Sequence, residues 1–245
     1  MPDNIVNVDF HRRFQIRPGE RVLDLGSGTG RHTVEACIWP CQVVSVDILR
    51  TELRQTKFMV RADQARGRLQ GDAEFLVADA ENLPFADHSF DKIICTEVLE
   101  HISDDGRGIQ EMLRVLKPGG EIAVSVPNFL PEAVFWRLSW GYWHSPGGHV
   151  RIYRPGELEA VLRRAGLEVH GTEKRHAVQS IYWFVRCGLG IDRPEVLPTR
   201  KLKLFIDWYL ERRPRALEAV EARVLNPLIG KDMTIYCRKP AGASA

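Results

Sequence analysis

Three ionisable side chains lie close together in "TEVLEHI", residues 96–102: Glu97, Glu100 and His101. In a helix these positions share one face, because residues three and four apart are neighbours there. An imidazole, whose usual pKa is about 6.5, accepts a proton from a hydroxyl at neutral pH. The spacing predicts a catalytic group with His101 as general base. The alternative is that His101 only caps or orients the loop.

A second group with chemical potential is the glycine loop in "RVLDLGSGTGRHT", which comprises Gly26, Ser27, Gly28, Thr29 and Gly30. A glycine-rich turn between a strand and a helix brings the backbone close to a ligand and offers unpaired N–H groups. Its third glycine comes one residue too early for the dinucleotide pattern G-x-G-x-x-G. Asp24 precedes the loop by two residues, where a carboxylate suits a cationic amine better than a pyrophosphate. The loop therefore favours a nucleoside-like cofactor with an amino group.

Two further carboxylates are expected at strand ends. Asp47 ends the second predicted strand, where an acid accepts hydrogen bonds from both ribose hydroxyls of an adenosine-type cofactor. Asp79 ends the third, where it can accept from an exocyclic amine while the amide of Ala80 donates to the adjoining ring nitrogen. Ligands of open α/β sheets lie at the carboxyl ends of the strands, so these residues and Glu97 should line one crevice.

The elements that would position these residues alternate along the chain. Short apolar runs of strand length are separated by helical patterns from Glu20 to about Asn128, which predicts parallel pairing and a doubly wound α/β sheet. A helical stripe ending in Leu116 stops at "KPGG", and a later helix begins at Pro155 and ends at Gly166. The predicted strands are residues 21–26, 42–48, 73–80, 90–98, 121–128, 167–177 and 231–239.

Taken in order, "VLDLGSGTG", "VVSVDI", "VADAENLPFADHSFDKIICTEVLEH" and "RVLKPGGEIAVSVPN" resemble the class I S-adenosylmethionine-dependent methyltransferases, above all those that methylate small molecules. The resemblance implies a Rossmann-like, mostly parallel sheet of seven strands. It also implies that S-adenosylmethionine is the cofactor. Asp24 and the glycine loop would then hold its methionine part and Asp47 its ribose. Ile48 would pack on the adenine, whose edge Asp79 and Ala80 would read.

The Glu-x-x-Glu-His spacing also resembles the divalent-metal site of small-RNA 2′-O-methyltransferases and of some quinone O-methyltransferases. In the former, a histidine from a later loop completes the site, and His149 falls in a comparable place. Two carboxylates with one or two imidazoles bind Mg²⁺, Mn²⁺ or Zn²⁺. Those small-RNA enzymes carry a second histidine shortly after the first, whereas "ISDDGRG" follows His101 here. No metal is therefore expected, and the metal site stays an alternative.

Aromatic residues are concentrated in the second half of the chain. Five of the six tryptophans lie between residues 131 and 210, and "AVFWRLSWGYW" is apolar almost all round as a helix. An aromatic-lined cavity with a few polar groups is typical of small-molecule sites. This favours a lipophilic or aromatic acceptor, methylated at oxygen, although these residues also suit the core of a helical cap. The expected substrate-binding residues are Trp136, Trp140, Trp143, His149, Tyr182 and Trp183.

A helical insertion is expected before the last strand. Its helical pattern places Leu202, Phe205, Ile206 and Tyr209 on one face and Lys203, Asp207 and Glu211 on the other. The predicted organisation is a cofactor-binding core (1–177), a helical cap over the acceptor side (178–230), and the final strand and tail of the core (231–245).

Composition narrows the function class. A net charge of +2 and the absence of a basic stripe with interleaved aromatics give no argument for nucleic acid as a partner. The five cysteines form no C-x-x-C pair and suggest reduced thiols in the cytoplasm. No apolar run approaches the roughly 20 residues of a membrane-spanning helix. "RKLKLF", with Arg212, Arg213 and Arg215, leaves as an alternative a methyltransferase that contacts a membrane surface weakly and acts on a quinone- or lipid-like substrate. Another is a non-catalytic protein that binds S-adenosylmethionine. Nothing indicates an oligomeric state.

Overall fold

The fold is built on one sheet in residues 6–139, 148–190 and 196–242, the part of the chain that the computed structural model describes. Hydrogen bonds join its seven strands in the order β3-β2-β1-β4-β5-β7-β6. The first five pair in parallel, and β7 runs antiparallel to both β5 and β6. The predicted doubly wound, mostly parallel sheet is confirmed. In chain order the strands are β1 (Arg21–Leu25), β2 (Gln42–Asp47), β3 (Asp72–Val77), β4 (Phe90–Thr96), β5 (Leu116–Pro127), β6 (Glu168–Arg175) and β7 (Asp232–Arg238).

Helices connect the strands, and the expected insertion before β7 is helical. A π-turn (Glu221–Leu225) joins the last two helices of that insertion. In the described residues the helices are α1 (Arg31–Ala36), α2 (Arg50–Ala65), α3 (Asp105–Val115), α4 (Phe129–Leu138), α5 (Glu157–Arg164), α6 (Ala177–Leu189), α7 (Leu197–Arg212), α8 (Arg215–Val220) and α9 (Asn226–Ile229).

Both faces of the central strands are buried, as expected for parallel strands covered on each side. Leu23 and Ile93 belong to one apolar cluster, while their neighbours Val22 and Ile94 belong to the other. The alternation follows from the two-residue period of a strand. At the carboxyl edge of this sheet the ends of β2, β1 and β4 lie side by side.

The second cluster includes a segment for which the sequence predicted no element. Phe10 and Phe14 are fully buried and pack edge to face, with ring centroids 6.1 Å apart. The hydroxyl of Tyr236 on β7 accepts a hydrogen bond from the Asp9 amide. These contacts fasten the residues before β1 across the sheet and bring Asn7 to its carboxyl edge.

Three predicted boundaries are wrong. The strand β3 ends at Val77, so Asp79 lies beyond it, in an isolated bridge with Asn82. The strand β5 already begins at Leu116, which pairs with Phe90 instead of closing the helical stripe. Residues 97–101 form a turn instead of the helix assumed for Glu97, Glu100 and His101.

Candidate active site

The glycine loop has a backbone conformation that residues with a side chain rarely adopt. Gly26, Gly28 and Gly30 all have positive φ, at 69°, 50° and 89°. A Cβ at Gly26 would collide with the side chain of Val98, and one at Gly30 would lie 2.6 Å from Cγ2 of Thr56. Glycine is therefore required at Gly26 and Gly30 by both conformation and space.

Substituting Gly26 by alanine is expected to distort the loop and destabilise the protein. The loss should exceed the roughly 1–2 kcal/mol that a non-glycine residue costs in the left-handed region, because the new Cβ also collides with Val98. The matched control is Gly119→Ala, since Gly119 has φ 77° but open space around its Cα. Urea unfolding of both variants measures the difference. Equal losses would show that Val98 does not constrain the loop.

Asp24 lies beneath this loop and is almost fully buried. Its Oδ2 accepts a 2.5 Å hydrogen bond from the Thr33 hydroxyl, whereas its Oδ1 has no hydrogen-bond partner in the structure. Burial raises the pKa of Asp24 to about 6, against the lowering effect of Thr33. The buried Ser27 hydroxyl also lacks a hydrogen-bond partner among the described residues. Burying an unpaired carboxylate oxygen costs free energy. Asp24 and Ser27 therefore suit a ligand that brings a cation and a hydrogen-bonding group.

Asp47 is the last residue of β2, as predicted, and its carboxylate is held by two backbone amides. Gly28 donates to Oδ2 and Leu49 to Oδ1, each at 2.8 Å. Every carboxylate oxygen can accept a second hydrogen bond, so the group is oriented without being saturated. The geometry fits a ribose diol.

The expected adenine contacts are open on the same edge. The side chain of Ile48 is 65% exposed although it is apolar. Asp79 is exposed and its Oδ1 accepts from the Glu81 amide, while Ala80 is buried. The structure brings Asp24, the loop and Asp47 together, and the roles of all these residues in cofactor binding stay predictions.

Glu97 follows β4 at the same edge, in the left-handed region with φ 56°. Its Oε1 accepts hydrogen bonds from Ser125 at 3.2 Å and Asn7 at 3.4 Å, and its Oε2 lies 3.9 Å from Lys231 Nζ. A non-glycine residue in this region is strained, and the conformation persists only where surrounding contacts hold it. Contacts from three distant segments therefore position Glu97.

The turn buries Glu100 and leaves His101 at its outer side. Both carboxylate oxygens of Glu100 lack a hydrogen-bond partner in the structure. Burial, then the charge of Glu97, raises the pKa of Glu100 well above its usual range. Burial likewise raises the pKa of Glu97 to about 7, an effect that Asp232 adds to and Lys231 opposes. The turn thus holds at most one full negative charge near neutral pH.

His101 and His149 meet although 48 positions separate them in the sequence. Their rings lie edge to face with centroids 4.9 Å apart, and His149 Nδ1 lies 2.6 Å from Glu132 Oε1. Glu100, His101 and His149 each offer one ligand atom within 4.8 Å of the others. This cluster suits a cation or a proton relay, and Glu97 is not part of it.

The predicted aromatic lining is partly described. The indole of Trp136 on α4 donates to Glu132 Oε1 at 2.8 Å. Tyr182 on α6 is buried and its ring contacts that of Trp183, with centroids 5.8 Å apart. Helices α4 and α6 pack together, and Glu132 on α4 contacts both Trp136 and His149. Trp140 and Trp143 lie outside the described residues.

The structure adds site residues that the sequence did not indicate. Asn7 donates to Ser125 as well as Glu97, and its own amide donates to Nε2 of His32. Burial lowers the pKa of His32 to about 3, so its imidazole is neutral. These partners lie 25 to 118 positions apart, and a lone asparagine near the start of a chain gives no signal of such a role.

Another such pair is His176 and Asp232, where β6 and β7 meet. His176 Nδ1 lies 2.8 Å from the buried Asp232 Oδ2, and His176 has a left-handed φ of 65°. Burial would raise the pKa of Asp232, but Lys231 and His176 outweigh it and hold the pKa well below its usual range. His176 lines a cavity of about 710 Å³ beneath the insertion, together with Tyr209.

Comparison with known proteins agrees with this architecture. A family model described as a methyltransferase domain matches residues 23–124. The chain is 38% identical over 119 residues to the demethylmenaquinone methyltransferase of Beutenbergia cavernae, covering 49% of this chain and 45% of that protein. It is 35% identical over 111 residues to the ubiquinone/menaquinone biosynthesis C-methyltransferase of Vibrio campbellii, covering 44% and 41%. The match therefore spans less than half of these relatives.

The similarity of fold extends over nearly the whole chain. A crystal structure of a SAM-dependent methyltransferase from Methanosarcina mazei matches with a TM-score of 0.60 at 19% identity, over 92% of this chain and 94% of that one. At this level of identity the likeness concerns the fold alone.

Proposed function

We propose that this chain, whose residues 23–124 match a family model described as a methyltransferase domain, is a class I S-adenosylmethionine-dependent methyltransferase that transfers a methyl group from that cofactor to a small molecule. The observation that carries the proposal is the unpartnered, buried Oδ1 of Asp24 beneath a loop that only glycine can form. A cofactor ammonium would satisfy that oxygen, and the oriented carboxylate of Asp47 would accept from the ribose.

When bound, S-adenosylmethionine supplies a methyl group on a positively charged sulfur. The protein then has to hold donor and acceptor at near-attack distance and, for an oxygen acceptor, remove a proton. We assign the proton to His101, whose Nε2 lies 4.0 Å from Glu100 Oε1. With an oxygen acceptor, the imidazole would take the hydroxyl proton as the methyl group passes to that oxygen and the carbon–sulfur bond breaks, which would leave S-adenosylhomocysteine. Glu97 and Glu100 position this turn.

The acceptor we propose is lipophilic or aromatic. Support comes from the aromatic pair on α6 and from Trp136 on the facing helix α4. The names of the relatives in Beutenbergia and Vibrio support a quinone-like acceptor. The insertion between β6 and β7 would act as the cap that excludes water from this side.

Carbon methylation is the second candidate, because one of those relatives is named a C-methyltransferase. A carbon acceptor needs less help from a base, so it would make His101 dispensable. Fold alone does not prove a reaction, and a non-catalytic role in binding S-adenosylmethionine is the third candidate.

The deciding experiment offers S-adenosylmethionine with a lipid extract and a library of phenols and quinones, and follows products by mass. A gain of one methyl group in an acceptor, with S-adenosylhomocysteine formed, supports the proposal, and fragmentation locates the methyl on oxygen or carbon. Cofactor binding with no product from any acceptor would favour the non-catalytic role.

Replacing His101 by alanine is expected to slow methylation of an oxygen acceptor by roughly 10²-fold or more, because the hydroxyl proton loses its acceptor. The measurement is kcat against pH, with cofactor affinity determined in parallel. His88→Ala is the matched control, since His88 lies away from the crevice and contacts the carbonyl of Leu116. Unchanged turnover of the His101 variant would remove it from the mechanism.

Removing divalent cations with a chelator is expected to leave turnover unchanged, because the proposed chemistry needs only a proton acceptor. Chelated and untreated enzyme are compared at saturating cofactor, with Mn²⁺ added back. Loss of activity that Mn²⁺ restores would instead make Glu100, His101 and His149 metal ligands, for which their 4.8 Å cluster is suitable.

A further inference from the structure

The insertion before β7 exposes an unusual amount of apolar surface. Eleven of the twenty large, exposed apolar side chains found in the described residues lie between Ile181 and Leu228. Single exposed apolar residues are normal on a protein surface, whereas a concentration of them marks an interaction surface.

Helix α7 shows how this surface is organised. Its inward side chains, Thr199, Ile206 and Tyr209, are buried. The opposite face carries Leu197, Leu204, Phe205 and Trp208, which are 55%, 61%, 42% and 45% exposed. At about 100° per residue these four fall on one side of the helix, and we call them the outer face of α7.

The outer face corrects the sequence-based assignment of this helix. Phe205 was expected on the buried side with Ile206, but it is half exposed and its ring lies 5.7 Å from that of Trp208. The following helical run repeats the pattern every three or four residues, with Leu217, Val220, Val224 and Leu228 all exposed.

Basic residues lie on and beside the outer face, because at about 100° per residue Lys201 and Arg212 fall within its arc and Arg200 near its edge, together with one exposed acid, Glu211. Arg200, Lys201 and Arg212 are exposed, and none of them makes an ion pair with a described residue. Residues 196–230 contain seven Lys and Arg against four Asp and Glu, in a chain whose total charge is only +2. An amphipathic helix with Trp, Phe and Leu on one side and Lys and Arg beside them binds the interface of an anionic bilayer.

We propose that the outer face of α7 docks on the surface of an anionic lipid bilayer. Leu204, Phe205 and Trp208 enter the headgroup boundary, while Lys201 and Arg212 contact lipid phosphates. A second copy of the chain fits less well, because a symmetric contact would bring these same cations face to face. None of the described helices is long and apolar enough to cross a membrane. The proposal stands independently of methyl transfer.

The test is co-sedimentation of the full chain with two kinds of vesicle. One is phosphatidylcholine with about 40% phosphatidylglycerol, which gives a strongly anionic surface, and the other is phosphatidylcholine alone. We expect binding to the anionic vesicles and little to the neutral ones. The double variant Phe205→Ala/Trp208→Ala should bind at least tenfold more weakly. Phe58→Ala is the matched control, because Phe58 on α2 is 71% exposed but lies outside the insertion. It should bind like the parent.

A charge-reversal variant, Lys201→Glu/Arg212→Glu, should also abolish binding to the anionic vesicles. It keeps the test valid if loss of the two aromatic side chains reduces solubility. Thermal melts and sedimentation velocity accompany every variant. Failure of the parent to bind anionic vesicles would overturn the proposal. So would equal binding by the parent and the double variant, or a parent dimer that the double variant dissociates.

Discussion

Asp24→Asn is expected to abolish measurable binding of S-adenosylmethionine and, at the same time, to stabilise the ligand-free protein. The carboxylate is buried with one unpartnered oxygen, so its charge destabilises the ligand-free protein, and a bound cation would offset this effect. Asparagine keeps the shape and the contact with Thr33 but removes the charge. Calorimetric titration with S-adenosylmethionine and S-adenosylhomocysteine measures the first effect, and urea unfolding measures the second.

The size of the stability effect follows from the pKa of Asp24. Burial raises it from 3.8 to about 6 in the folded state, which corresponds to about 3 kcal/mol of destabilisation by the charged form. Because the folded-state pKa is the higher one, this destabilisation is complete above pH 6, shrinks as the pH falls, and vanishes below about pH 4. The variant should therefore gain stability over the parent at pH 7.5 but not at pH 3.5.

The same titration makes cofactor binding by the parent pH-dependent. The ammonium needs the ionised carboxylate, so affinity should fall by about tenfold between pH 7.5 and pH 5. Asp87→Asn, at an exposed carboxylate paired with Arg114, is the control and should match the parent in both measurements. An Asp24 variant that binds the cofactor like the parent would end the assignment of Asp24 to the ammonium.

The cofactor half was predictable from sequence because its signals are local. β1 and β2 are short apolar runs of strand length, and the glycines lie where positive φ is required. Asp24 and Asp47 lie at the carboxyl ends of β1 and β2, and the carboxyl ends of parallel strands must share one edge. Local motifs and parallel pairing of the strands therefore bring Asp24, Gly28 and Asp47 together.

The proton-transfer turn was only half predictable. The spacing of Glu97, Glu100 and His101 is equally compatible with a helix and with the observed turn. What decides between them is tertiary, since Asn7, Ser125 and Lys231 hold Glu97 in a left-handed conformation. None of these partners is near it in sequence. Phe205 was misassigned for a related reason, because a helix with apolar residues on both sides does not reveal which side is covered.

Removing the insertion is the second change with a large expected effect. The strands that flank it are paired, with Arg175 opposite Asp232, so its two ends are neighbours. A short glycine turn in place of residues 178–230 would close a β-hairpin without moving either strand. Lys231 and Asp232, which stand beside Glu97, would remain.

This deletion variant is expected to bind S-adenosylmethionine within a few-fold of the parent, because Asp24, the glycine loop and Asp47 belong to other elements. Methylation of the acceptor found in the library screen should be lost, because Tyr182 and Trp183 are removed and the acceptor side is opened to water. Circular dichroism and cofactor calorimetry establish that the core has folded before turnover is measured.

A matched control separates loss of the cap from general damage to the insertion. Leu217→Ser/Leu228→Ser changes only exposed side chains and should leave turnover at the parent's rate. The insertion packs on α4 through α6, so without α6 the helix α4 loses part of its cover. Some loss of stability is thus expected from the deletion, but it does not account for an absence of methylation in a protein that still binds cofactor. A deletion variant that methylates at the parent's rate would show that the insertion takes no part in acceptor binding.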